Sequence, residues 1–113
     1  MTSHDEFRKS VIEVLELLSS KQQQLDFQQK SPSANVALEL MCRWFSDLYN
    51  LESHLLKRSF SDNEQIALLE FNRYYDTRKR SIPESIEILH QDSDWAIIMT
   101  AAKKLLVEIK SNN

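Results

Sequence analysis

No glycine occurs anywhere in the 113 residues. Average usage would place roughly eight in a chain of this length. Glycine supplies the positive-φ positions of tight hairpins and phosphate-cradling loops. Its absence argues against a sheet-rich fold and excludes P-loop and dinucleotide-binding fingerprints. It also leaves asparagine, serine and proline to end the helices. Cysteine is nearly as scarce. Cys42 stands alone, which excludes an intrachain disulfide and fits a reducing compartment. On a helical wheel it falls at the edge of an apolar arc and reads as a small buried hydrophobe. No apolar run approaches the length of a membrane span. Thr2 to Glu6 carry neither a basic n-region nor an apolar h-region, so a cytoplasmic location is expected. The formal charge of −3 gives no global attraction to nucleic acid or to an anionic membrane.

What remains is a chain that is 42% hydrophobic and 27% charged, an ordinary balance for one soluble domain covering residues 1–113. The expected class is all-α. The first helix should run from about residue 4 to the high twenties. It has Phe7, Val11, Val14, Leu15, Leu18 and Leu25 on one stripe and Arg8 among the solvated residues. Gln22 to Gln24 read as its solvated extension.

A second helix is expected from Ser31, as N-cap before Pro32, to Arg58. Its apolar arc is wide, including Leu38, Leu40, Trp44, Phe45, Leu48 and Leu56, as befits a helix enclosed by several neighbours. Ser61 and Glu64 form the S-x-x-E start of a third helix, with Ile66, Ala67, Leu68, Phe71, Tyr74 and Tyr75 as its buried side. A short helix should follow Pro83. Asp92 or Ser93 then caps a last helix packed through Trp95, Ile98, Ala102, Leu105 and Ile109. Medium and long helices with short connections favour an antiparallel, up-down four-helix bundle, with the extra short helix before the last one.

Glu52 is the main candidate for a site. It falls inside the apolar arc of the second helix, where a carboxylate costs several kcal/mol unless it is paired or protonated. Tyr74, Tyr75 and Arg78 are its candidate partners. A structural ion pair is the simpler reading, and a general acid–base or ligand anchor the functional one. The second candidate is the basic end of the third helix, where Arg73, Lys79 and Arg80 offer a contact for a protein or an anion. The three histidines are far apart and match no metal-ligand spacing, and no nucleophile motif is present. Ile12, Leu69 and Val107 lie off the main stripes and would make a partner patch if clustered.

The functional expectation is therefore a small protein-binding module, such as an adaptor, an inhibitor or an antitoxin-like partner, with no catalysis and no cofactor. Homodimerisation is compatible with the wide apolar arc of the second helix. The alternatives are a ligand-binding or enzymatic pocket around Glu52 and, third, nucleic-acid binding.

Overall fold

The computed structural model describes residues 4–48 and 54–111. Every regular element among them is helical, so the fold is all-α. Helix α1 spans His4–Ser19, α2 Lys21–Lys30, α3 Val36–Cys42, and a π turn Arg43–Leu48 continues α3. Helix α4 spans His54–Ser59 and α5 Asp62–Arg78; a 3-10 turn follows at Lys79–Ser81. The short α6 covers Ile86–Leu89 and α7 Ser93–Ser111. No described residue has positive φ, as expected of a chain that ends its helices without glycine.

The capping box at Ser61 forms in full. The Ser61 hydroxyl accepts from the Glu64 N–H, and the Glu64 carboxylate accepts from the Ser61 N–H at 2.8 Å. The expected stripe of α7 is buried along its whole length, and the Asp92 carboxylate accepts from the Trp95 N–H at its start. Both tryptophans are core residues. Trp44 packs edge-on against Phe71 and donates its indole N–H to Asn72, tying the π turn to α5.

Three expectations fail. The first helix is two helices, because Ser20 adopts an extended conformation and its hydroxyl caps α2 through the Gln23 N–H. A serine that can cap competes with helix continuation. Leu25, placed on the first helix's apolar stripe, is consequently exposed. The second helix does not start at Ser31. That residue is the C-cap of α2, and Asn35 caps α3 through the Leu38 N–H. Nor is it one α-helix, since the π turn alters its phase within seven residues of the start. Leu38 and Cys42, both assigned to the apolar arc, are exposed. Thirdly, the α5 wheel is turned: Ile66 and Tyr74 face outward, and Glu64 joins Leu68, Phe71 and Tyr75 inside.

Arg8 explains that turn. Its guanidinium makes a bidentate pair with Glu64 at 2.9 and 2.8 Å and also donates to the Ser59 and Ile109 carbonyls. Glu64 is 4% exposed, and it holds the Arg8 guanidinium firmly in its charged form. Helices α1 and α5 therefore begin at one end of the molecule, and α7 ends there. At the other end Asp94, which opens α7, meets Arg78, which closes α5, at 3.6 Å. Hence α5 and α7 are antiparallel neighbours.

Removing Glu64 leaves a half-buried cation without its partner and removes half of a capping box. Glu64→Ala should cost about 3 kcal/mol, read as a lower urea midpoint. Lys110→Ala, which removes the exposed 3.7 Å pair with Glu16, should cost under about 1 kcal/mol.

Candidate functional site

A concavity of about 540 Å³ lies between the outer faces of α5 and α7. Its α5 wall is Asn63, Ile66, Glu70 and Tyr74, and its α7 wall is Ile97, Thr100, Lys104 and Glu108. Both walls follow from helical periodicity at about 100° per residue. With Leu68, Phe71 and Tyr75 inside, Ile66 stands almost opposite the buried direction and Tyr74 at its flank. With Trp95, Ile98 and Leu105 inside, Ile97 and Lys104 share a second stripe of α7. The floor is made where the helices touch, by Ala67, Phe71, Ala101 and Leu105.

Three large apolar side chains are left on these walls: Ile66 is 64% exposed, Tyr74 42% and Ile97 40%. Scattered exposed hydrophobes are ordinary on a small protein. Three that line one groove over an apolar floor form a contiguous apolar patch. The charges of the groove are Glu70 and Glu108 against Lys104.

Of the residues singled out from sequence, Glu52 lies outside the described residues. Tyr74 does not point into the core but into the groove, with the Arg78 guanidinium 5.4 Å from its ring centroid. Arg78 is also held by the Tyr74 carbonyl and by the charge of Asp94, whose other carboxylate oxygen accepts from the Ser81 hydroxyl. Arg73 and Arg80 are exposed. Lys79 is engaged locally, 2.7 Å from Asp76 and 4.4 Å above the Phe45 ring. Ile12 packs against the core, Leu69 is half-buried and only Val107 is exposed. Among the described residues no three His, Cys, Asp or Glu side chains gather as a metal site.

A polar cluster that periodicity did not reveal sits at the α1–α2 break. Gln24 is fully buried, although it reads as part of a solvated run. Its amide NH2 donates to the Leu17 and Leu18 carbonyls, the free ends of α1. Its Oε1 accepts from the Trp95 indole at 3.1 Å and lies 2.8 Å from His90 Nε2. The two carbonyls fix the orientation of the amide, so His90 carries its proton on Nε2. The only hint in the sequence is Ser20, whose capping of α2 turns Gln24 back toward α1. Tyr75 is the other buried polar group. Its hydroxyl has no hydrogen-bond partner among the described residues, and burial, with Cys42 adding to it, pushes the phenol's pKa well up. Such a phenol is a poor proton donor or acceptor at neutral pH.

Gln24→Leu should cost roughly 2 kcal/mol or more, because it strands the Trp95 N–H and two helix-end carbonyls together. His90 supplies a pH test. Burial, and then the nearby Lys21, lower its pKa. The folded state consequently binds protons less readily than the unfolded chain, whose histidines titrate near pH ~6.5. The stability from His90 is present above that pH and is lost as pH falls through the lower folded value. Urea midpoints should drop from pH 7.5 to pH 5, and His90→Gln should flatten this part of the slope.

Comparison of the chain with protein families, with curated proteins and with solved structures finds no match.

Proposed function

We propose that this chain is a small helical protein-binding module of the cytoplasm, without catalytic activity of its own. We read its architecture as an up-down four-helix bundle whose arms are led by α1, by α3 with α4, by α5 and by α7, with the short α6 before the last. The observation that carries the functional reading is the α5–α7 groove, where Ile66, Tyr74 and Ile97 remain exposed on two walls over an apolar floor. Groove recognition of an apolar helix face is a recurrent mode of protein association. Hot spots in such contacts are enriched in aromatic side chains, and Tyr74 supplies one at the end of the groove.

The ligand-pocket alternative draws less support. Tyr74 and Arg78, two of the partners expected for Glu52, are stacked on each other at the molecular surface instead of lining an enclosed cavity. Nucleic-acid binding is disfavoured by the two carboxylates, Glu70 and Glu108, in the groove where the Tyr74 ring is exposed.

Affinity capture from native extract tests the proposal. Ile66→Asp with Ile97→Asp should weaken retention of a stoichiometric protein by about tenfold or more, with thermal unfolding nearly unchanged because both sites are exposed. Arg73→Glu with Arg80→Glu should keep it. The reverse pattern would move the contact surface to the basic end of α5.

A further inference from the structure

We infer that the groove's own occupant is a second copy of this chain, seated so that α5 of each copy lies against α7 of the other. The inference rests on the reading of the groove as a protein-contact surface. It is carried by how charge is distributed across the two walls.

Because Arg78 stands opposite Asp94 and the Arg8 guanidinium joins Glu64 to the Ile109 carbonyl, heights along the antiparallel pair can be matched. Glu70 on one wall and Lys104 on the other then differ by about 3 Å in height at 1.5 Å per residue. Neither makes an ion pair with any described residue. A twofold axis running along the groove exchanges the walls while preserving height. It sets Glu70 of each copy against Lys104 of the other, forming two equivalent pairs. The same axis brings Tyr74 over Ile97 of the second copy, apolar end upon apolar end, and the small Ala67, Ala96 and Ala101 leave room for the larger chains. An axis across the groove would instead lay each helix antiparallel on its own counterpart, so that Glu70 could not meet Lys104 of the other copy. Isologous contacts of this kind are the commonest route to a closed dimer.

The face is large enough. Helix α5 has 17 residues and α7 has 19. Two helices about 25 Å long and 10 Å wide present about 500 Å² in projection. With side-chain relief this approaches the ~800 Å² per partner of a standard interface. The mixed polarity of the walls places the dimer among the weaker, concentration-dependent ones.

Sedimentation equilibrium of the purified chain from micromolar to millimolar concentration is the test. Wild type should pass from monomer to dimer. Glu70→Lys alone and Lys104→Glu alone should each weaken association by about tenfold, since each sets two like-charged pairs face to face. An equimolar mixture of the two variants should recover the dimer, because the mixed pairs are again Lys against Glu. A wild type that stays monomeric overturns the inference. A dimer indifferent to both variants, or a mixture that does not recover it, overturns this geometry. If wild type is monomeric while Ile66→Asp with Ile97→Asp still abolishes capture, the groove remains a protein-contact surface and the second copy alone is excluded.

Discussion

The Glu64 carboxylate does three jobs within one turn of helix, and the rest of the structure depends on it. It accepts the Ser61 N–H as part of the cap, and it takes both guanidinium nitrogens of Arg8. Through Arg8 it reaches the carbonyls of Ser59 and Ile109. A buried carboxylate survives only when its charge and its lone pairs are answered. Once they are, the rotation of α5 is no longer free. Glu64 inside places Leu68, Phe71 and Tyr75 inside, and Ile66, Glu70 and Tyr74 outside. The groove is therefore a consequence of a helix cap, because the residue that starts α5 also sets its phase.

A second polar knot closes the opposite end by a different device. Chains commonly finish a helix on a glycine in the left-handed region, and this chain has none to use. Gln24 instead folds back and donates to the last carbonyls of α1, while its oxygen gathers Trp95 and His90. The amide is satisfied at all four positions, so its burial is not a defect. The two ends together hold α1, α5 and α7 in register. Between them the core is aromatic: Trp44, Phe45, Phe71, Tyr75 and Trp95 meet edge to face.

What could be read from the sequence was what depends on near neighbours in the chain. The Ser61–Glu64 box and the stripe of α7 are local patterns with one mechanical meaning. The misreadings came where one residue type has two uses. Ser20 could continue a helix or cap the next, and only the contacts of Gln24 decide. Glu64 looks like a solvated cap residue until Arg8, 56 residues away, is found beside it. The apolar arc expected on α5 ran from Ile66 to Leu68, two residues about 200° apart, wider than one neighbour can cover. That excess width was the trace of the groove. The π turn at Arg43–Leu48 has no comparable signature, so a single 3.6-residue wheel merges two phases into one over-wide arc and places Cys42 at its edge, although it lies on the side of α3 away from Val36 and Leu40.

These constraints describe a domain that spends its buried polar groups on holding three helices and leaves one two-helix face apolar and unpaired in charge. The most direct test of that account is hydroxyl-radical footprinting at low and at high concentration of the chain. Labelling of Ile66, Tyr74 and Ile97 should fall as concentration rises, while Leu38 and Ile88, equally exposed on α3 and α6, should not change. Protection at Leu38 and Ile88 with none at the groove would contradict the account.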